Sequence, residues 1–190
     1  KKIVICYFGS DLRSRGAFEY LESVSKLNLT VEFDHLEIHK NIYYLFFPFE
    51  VYSYTRKNEF STIPKIVHSP TNRLFKGTDK ILGVIEKLKS KAEFEFILLE
   101  NETHEKALEI KSKCDIAIDQ VGGEYGGSGY GRNSLENISM GIPTITEFSP
   151  EYLDFLPENP FIHSTIEELE KKLLGLIGKP EKLTELSSKG

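Results

Sequence analysis

A glycine-rich segment, residues 122–143, constrains the fold more than any other part of the chain. Six glycines lie between positions 122 and 131, which is too many for a packed helix or strand. An apolar strand pattern precedes the segment at residues 116–121, and another follows it at residues 144–148. Glycine accepts left-handed backbone angles and lets a ligand approach the main chain closely. A strand, a glycine loop, a short helix and a strand in this order direct free backbone N–H groups towards an anion. The segment therefore predicts a phosphate-binding loop.

Strand and helix patterns alternate from residue 65 onwards. The short apolar strands and the helices with one apolar face follow each other at residues 65–68, 79–91, 94–99, 103–113 and 116–120. Strands separated by helices of this length pair in parallel, with helices on both faces of the sheet. The sequence therefore predicts an α/β fold with a doubly wound, mostly parallel sheet. Ligands of such sheets bind beyond the carboxyl ends of the strands, where the strand order reverses.

The front of the chain is less regular. It predicts strands at residues 2–8 and 29–38 with a helix at residues 14–27 between them. We therefore divide the chain into an N-terminal α/β segment, residues 1–62, and a Rossmann-like domain, residues 63–190.

Composition excludes several classes of function. The formal net charge of −5 is unlike that of a general nucleic-acid binder, which is normally basic. The two cysteines, Cys6 and Cys114, have no metal-site or redox spacing, so we expect a reduced, cytoplasmic setting. The longest apolar run, residues 42–49, is too short to cross a bilayer, and no signal peptide is evident.

The loop at residues 69–77 is the second candidate for phosphate binding. It places Arg73 and Lys76 directly before a predicted helix, and Gly77 leaves room for a ligand. A helix N-terminus contributes only about 0.3–1 kcal/mol to holding an anion, whereas a hydrogen bond to a charged group contributes roughly 1.5–3 kcal/mol. A diphosphate would therefore depend mainly on the two cations. Both could also be solvated surface charges, but their position beside the glycine loop favours binding.

Three other polar residues each have two interpretations. Glu136 either forms a capping box with Asn133 or accepts hydroxyl groups of a ribose. A carboxylate this close to a phosphate would repel it, and so the hydroxyl partner is favoured. Asp119, at a strand end, is either a ligand contact or an organiser of the loop. His68, also at a strand end, either contacts a ligand or is a hydrogen-bonded structural histidine.

Several common sites are excluded. The glycines lack the G-x-G-x-x-G spacing of dinucleotide-binding proteins, and no G-x-x-x-x-G-K-[ST] motif is present. His35 and His39 would be separated by ~13 Å along a strand, which is too far for one metal ion, and we expect them on an exposed polar strand face. No metal site is predicted. Ser134 has no neighbouring His or Asp in sequence that would make it a nucleophile.

With these residues in place, the segment 64–176 resembles the C-terminal, nucleotide-sugar-binding half of a GT-B glycosyltransferase, and is most similar to the retaining family 4. The resemblance is carried by three stretches, namely HSPTNRLFKGTDKIL (68–82), CDIAIDQ (114–120) and GSGYGRNSLENISMGIPTI (127–145). It implies that Lys76, with Arg73, binds the donor diphosphate and that Glu136 binds the ribose. The remaining positions implied to contact the donor sugar and phosphates are Ser128, Gly129, Tyr130 and Gly131. Ser128 replaces the first acidic residue of the family's glutamate pair, and the family arginine usually lies further ahead of the lysine than Arg73 does.

The resemblance implies transfer of a sugar from a nucleotide-diphosphate sugar to an acceptor hydroxyl with retention, without a metal or any other cofactor. The acceptor side of such enzymes belongs to an N-terminal domain, of which residues 1–62 would be the end or a remnant. Because the chain starts at Lys1 and its front is short, we expect either a truncated chain or a short protein that works with a partner domain or subunit. The resemblance also allows peripheral membrane contact through a part outside this sequence.

Two alternative functions stay open. The chain could be a non-catalytic nucleotide-sugar-binding subunit that needs a partner for activity. It could also be a sugar-nucleotide epimerase or hydrolase of the same fold. The latter needs a general acid and base, for which Glu100 with His104 is the only nearby candidate pair in the sequence.

Overall fold

A computed structural model describes residues 2–9, 11–124 and 129–190. Contacts between Cα atoms divide the chain into two compact units, Lys1–Phe49 and Glu50–Gly190. Residues 50–62 therefore belong with the second unit. Among the described residues, no helix has both the length and the apolar character that a bilayer-spanning segment requires.

The first unit contains a parallel three-stranded sheet in the order β1-β2-β3. Its elements, in chain order, are β1 (Ile3–Tyr7), α1 (Asp11–Arg15), α2 (Glu19–Val24), β2 (Ser25–Thr30), α3 (His35–Ile38) and β3 (Tyr43–Tyr44). The predicted helix at residues 14–27 is wrong in its bounds: α1 ends at residue 15, α2 covers residues 19–24, and residues 25–30 form β2.

The predicted strand at residues 29–38 is also wrong. The hydroxyl of Thr30 accepts a hydrogen bond from the backbone N–H of Glu32 at 2.9 Å, a local turn that ends β2. His35 then lies in α3, fully buried, with its Nδ1 2.8 Å from the Thr30 hydroxyl. His39 Nε2 lies 3.0 Å from Glu22 Oε2. The two histidines therefore do not share an exposed strand face.

The second unit is a five-stranded parallel sheet in the order β5-β4-β6-β7-β8. The prediction of a doubly wound parallel α/β fold is confirmed. After a short 3₁₀ helix at Val51–Ser53, the elements are β4 (Lys65–His68), α4 (Arg73–Lys76), α5 (Thr78–Leu88), β5 (Glu95–Leu98), α6 (His104–Lys111), β6 (Ile116–Ile118), α7 (Arg132–Ser139), β7 (Thr144–Thr146), α8 (Pro150–Phe155), β8 (Ile162–His163), α9 (Ile166–Leu174) and α10 (Pro180–Ser187).

Burial on both faces explains the nearly continuous apolar strands of this sheet. Ile66 and Ile118 pack into one core with α5 and α9, whereas Val67 and Ala117 pack into another with α6. Successive strand residues point to opposite faces, and so each strand supplies both cores. A parallel sheet covered on both faces requires this pattern.

The strand order reverses beside β4. The connection from β4 leads to β5 on one side, and the connection from β5 returns to β6 on the other side. Helices at such a point lie on opposite faces and leave a crevice at the carboxyl ends of the strands. The loops that follow β4 and β6 border this crevice, and each contains residues that the sequence analysis selected.

Two glycines allow these loops to pack backbone against backbone. Gly77 has a φ of +68°, and a Cβ on it would lie 2.0 Å from the carbonyl oxygen of Val121. A Cβ on Gly123 would lie 2.0 Å from the carbonyl oxygen of Phe75. Part of the glycine enrichment therefore serves loop-to-loop packing and not contact with a ligand.

Gly77→Ala is expected to lower the free energy of unfolding by about 2 kcal/mol, since it adds both left-handed strain and a backbone clash. Chemical denaturation followed by circular dichroism measures this change. Gly83→Ala is the matched control, because Gly83 lies inside α5 with open space around the added Cβ. That variant should gain about 0.5–1 kcal/mol from helix propensity. Equal stabilities of the two variants would contradict the close loop packing.

Candidate functional site

A cleft of about 600 Å³ lies beyond the carboxyl ends of β4 and β5. Its walls come from the loops after these strands and from α6 and α7. Seven of the residues that line it are charged or titratable, namely Arg73, Glu100, Glu102, His104, Lys111, Arg132 and Glu136. The cleft therefore has the position expected of a ligand site in a doubly wound sheet.

Glu136, on α7, is a buried carboxylate with three basic partners. Its Oε2 accepts a hydrogen bond from Lys111 Nζ at 2.8 Å. Its Oε1 lies 2.7 Å from His104 Nε2 and 3.1 Å from Arg132 Nε. Burial raises the pKa of Glu136, but the charge and hydrogen bonds of Lys111 and His104 outweigh burial and lower that pKa below its ordinary value. Glu136 is therefore ionised at neutral pH.

Lys111 is a site residue that the sequence analysis missed. It is buried at the end of α6, where its ammonium donates to Glu136 and to Asn133 Oδ1, each at 2.8 Å. A buried lysine is rare unless it is paired. The available signal was its position three and four residues after Leu108 and Ala107, on the face of α6 that packs against the core.

Asp119 follows β6 and is buried. It accepts hydrogen bonds from Lys76 Nζ at 2.7 Å, from Asn133 Nδ2 at 2.9 Å and from the Ser134 hydroxyl. Burial raises the pKa of Asp119, but the ammonium of Lys76 and these hydrogen bonds outweigh burial and lower the pKa to about 2. Of its two interpretations, the geometry favours the organiser of the loops.

Asn133 connects the two carboxylates. Its amide nitrogen donates to Asp119, and its amide oxygen accepts from Lys111, which is bonded to Glu136. A continuous hydrogen-bonded network therefore runs through Lys76, Asp119, Asn133, Lys111 and Glu136. The network thereby joins Lys76 and Glu136, which are 60 positions apart in sequence, at one edge of the sheet.

The capping-box interpretation of Glu136 is wrong. Helix α7 begins after Gly131, and no side chain caps its N-terminus. Asn133 lies inside the helix, and its side chain is used by the network. The Glu136 side chain contacts Lys111 and His104 of α6 and not the backbone of its own first turn.

The two cations of the predicted loop 69–77 lie in α4, a short helix, and are differently placed. Arg73 lines the cleft and is exposed, with bonds of 2.8 and 2.9 Å to the two carboxylate oxygens of Glu100 and of 2.6 Å to Asp79. Lys76 is mostly buried and contacts Asp119. The candidate acid and base, Glu100 and His104, have different partners. Glu100 forms an ion pair with Arg73, and His104 contacts Glu136.

His68 is a structural histidine. It is fully buried, with Nδ1 2.9 Å from the carbonyl oxygen of Ile118 and Nε2 2.9 Å from the hydroxyl of Thr78. Burial lowers its pKa, and so the neutral ring donates from Nδ1 and accepts at Nε2. Both ring nitrogens are used, and the ligand-contact interpretation of His68 is corrected accordingly. Thr78, also buried, holds this ring and lies within α5.

The main chain of residues 129–131 leads into α7. Gly129 has a φ of +151°, a left-handed angle that favours glycine, and a Cβ on Gly131 would meet open space. The ring of Tyr130 stacks on Phe161, with 5.4 Å between the ring centroids. The Tyr130 side chain is therefore held by an aromatic neighbour. Ser128 lies outside the described residues.

Tyr54 is a second residue that the sequence analysis missed. It packs against the core that contains Val67 and Ala117. Burial and then the charge of Glu136 raise the pKa of Tyr54, while Arg132 lowers it. The phenol is therefore close to the cleft, although it precedes β4 in the chain.

In the part of the chain that the structure describes, no group of three or more His, Cys, Asp or Glu residues could hold a metal ion.

No protein-family model and no curated protein sequence matches the chain. Solved structures do match. A mutant of S. aureus TarM, in complex with fondaparinux, alpha-GlcNAc-glycerol and UDP, has a TM-score of 0.64 at 15% identity, over 93% of this chain and 43% of TarM. A second TarM structure gives a TM-score of 0.57 at 17% identity with the same coverage. The chain spans less than half the length of these proteins. The likeness shows the fold: two parallel sheets with interspersed helices, a Rossmann-like α/β architecture consistent with half of a GT-B glycosyltransferase.

Proposed function

We propose that this chain is the donor-binding part of a retaining, family 4-like glycosyltransferase. It binds a nucleotide-diphosphate sugar and supports transfer of the sugar to an acceptor hydroxyl. The observation that carries the proposal is the single network that joins Lys76 to Glu136 beside a cleft at the strand-order reversal. The fold supports it further, and UDP is among the ligands of the TarM complex.

Lys76 is suited to hold a diphosphate in a fixed place. An ammonium group has three donors, and Asp119 uses one of them at 2.7 Å. The buried Asp119 directs the ammonium, and the contacts of the described residues leave its other two donors for phosphate oxygens. Arg73 adds a second cation, and the backbone N–H groups of Gly129 and Gly131, which precede α7, add uncharged donors. In this arrangement Lys76 and Arg73 stabilise the charge that develops on the leaving diphosphate.

Glu136 is suited to hold the ribose. Its carboxylate is ionised, and among the described residues the partners of its Oε1 are the exposed side chains of His104 and Arg132. A ribose hydroxyl can replace either partner without exposing a buried charge. The loop beyond β5, with Asn101 at a φ of +61°, forms the remaining wall of the cleft. Asparagine tolerates this left-handed angle better than most residues.

Isothermal titration with UDP, GDP and ADP tests the proposal. At least one of them is expected to bind below millimolar concentrations, and Lys76→Met should weaken binding by roughly 10- to 100-fold, since a hydrogen bond to a charged group is lost. Lys87→Met is the matched control, because Lys87 is exposed near the other end of α5. If none of the three nucleotides binds below millimolar concentrations, or if Lys76→Met binds like the control, the proposal is wrong.

A non-catalytic binding subunit is the second candidate, because Ser128 stands where the resembled family has the first acidic residue of its glutamate pair. The two candidates predict the same binding but different turnover. Incubation with UDP-GlcNAc, followed by product analysis, separates them: transfer or donor hydrolysis by the isolated chain supports the enzyme. Turnover that appears only after a partner is added supports the subunit. Release of an epimerised or hydrolysed sugar as the main product would instead favour an epimerase or hydrolase.

A further inference from the structure

The guanidinium of Arg73 has two acidic partners in this structure. Its Nη1 donates to both carboxylate oxygens of Glu100, at 2.8 and 2.9 Å, and its Nη2 donates to Asp79 at 2.6 Å. One guanidinium (+1) and two carboxylates (−2) give this group of three side chains a formal net charge of −1. A diphosphate that approaches Arg73 therefore meets a negatively charged group and not a free cation.

The two acidic partners are differently placed relative to the cleft. Arg73 and Glu100 both line it, whereas Asp79 does not and has a side chain that is 83% exposed. The contact with Glu100 therefore lies at the cleft, and the contact with Asp79 lies outside it. Nη1, the nitrogen of Arg73 that is bonded at the cleft, is the one that Glu100 occupies.

A phosphate group can take the place of this carboxylate. The planar guanidinium binds carboxylate and phosphate oxygens with the same geometry. The side chains of Arg73 and Glu100 are 42% and 29% exposed, and ion pairs at such exposed positions are weak. The pair of Lys76 with Asp119 is different, because its carboxylate is 1% exposed. Of the two cations, Arg73 is therefore the one whose partner a ligand can replace.

This inference rests on the proposed function and concerns the regulation of the same site. We propose that Glu100 is a competing carboxylate, which withholds Arg73 from the donor diphosphate in the ligand-free chain. Binding of the diphosphate exchanges the Glu100 carboxylate on Nη1 for phosphate oxygens. Asp79 keeps its bond to Nη2 and holds the guanidinium at the wall of the cleft. The loop after β5 thereby lowers the affinity of the phosphate site that follows β4.

Isothermal titration of Glu100→Gln with UDP tests the inference. UDP is expected to bind this variant roughly 3- to 10-fold more tightly than the wild type, because a neutral amide competes less strongly for a guanidinium than a carboxylate does. If GDP or ADP binds the wild type more tightly than UDP does, that nucleotide is used instead.

Two further variants show whether the gain comes from release of Arg73. Glu102 lines the same cleft and is exposed, but the ion pairs of Arg73 are with Glu100 and Asp79. Glu102→Gln therefore removes the same charge without releasing Arg73, and the gain in affinity should be less than about twofold. In the Arg73→Met background, Glu100→Gln should likewise add less than about twofold, because no guanidinium is left to release.

The outcomes separate the inference from the proposed function. Equal gains for Glu100→Gln and Glu102→Gln would indicate a general effect of charge, and a gain that persists without Arg73 would indicate direct repulsion of the ligand by Glu100. Unchanged or weaker binding by Glu100→Gln would mean that Glu100 does not compete for Arg73. Each of these results overturns the inference and, where the wild type binds UDP, leaves the proposed function intact. Absence of binding of UDP, GDP and ADP by both the wild type and Glu100→Gln overturns the proposed function, and the inference with it.

Discussion

Lys111→Met is expected to lower the free energy of unfolding of the unit Glu50–Gly190 by about 3 kcal/mol, at the lower end of the range for a broken buried ion pair. The substitution removes the ammonium and leaves the carboxylate of Glu136 buried. The loss should not be larger, because His104 and Arg132 still contact Oε1. Urea denaturation followed by circular dichroism measures the change.

Two further variants identify the cause of the stability loss in Lys111→Met. Lys106→Met is the matched control, since Lys106 is an exposed lysine of the same helix, paired with an exposed Glu109. That substitution should change stability by less than about 0.5 kcal/mol. The double variant Lys111→Met with Glu136→Gln should be more stable than Lys111→Met alone, because no buried charge is then left without a partner. Additive losses in the double variant would show that the pair contributes no coupling.

The fold of the second unit could be predicted because its signals are local. Parallel strands buried on both faces give short apolar runs, and α5 places Ile81, Ile85 and Leu88 on one buried face. In the first unit a local signal was misleading, because a single side-chain contact changed the course of the backbone. The alternation of residues 29–38 has a strand period, but a turn made by the Thr30 hydroxyl overrides it.

The candidate site could be predicted only in part. Motif and loop position were sufficient to select Lys76 and Glu136, which lie in one network. Their partners could not be predicted, since the contact of Lys111 with Asn133 depends on how α6 packs against α7. The role of each glycine could not be predicted either, because it depends on which part of the chain packs beside it. Nothing in the composition of the loop distinguishes Gly123, which admits a neighbouring carbonyl, from Gly131, which faces open space.

Asp119→Asn is expected to lower the free energy of unfolding by about 3 kcal/mol at pH 7, because Lys76 loses its buried carboxylate partner. This difference from the wild type should depend on pH. The pKa of Asp119 is lowered from 3.8 to about 2 in the folded chain. A lowered pKa contributes stability that is fully present above the unfolded value and is lost as the pH falls through the folded value. The contribution here is about 2 kcal/mol, and it is lost between about pH 4 and pH 2.

Urea denaturation of both proteins at several pH values from 7 to 2 measures the prediction. The wild type should lose more stability than Asp119→Asn over the acid range, so that the difference between them narrows from about 3 to about 1 kcal/mol. Glu136, whose pKa is also lowered, contributes to the acid loss of both proteins, and so it cancels in the difference. A difference that stays constant down to pH 2 would mean that Asp119 is not held ionised by Lys76. The ammonium of Lys76 would then not be held in place by a buried charge, and its proposed role in holding a diphosphate would lose its structural basis.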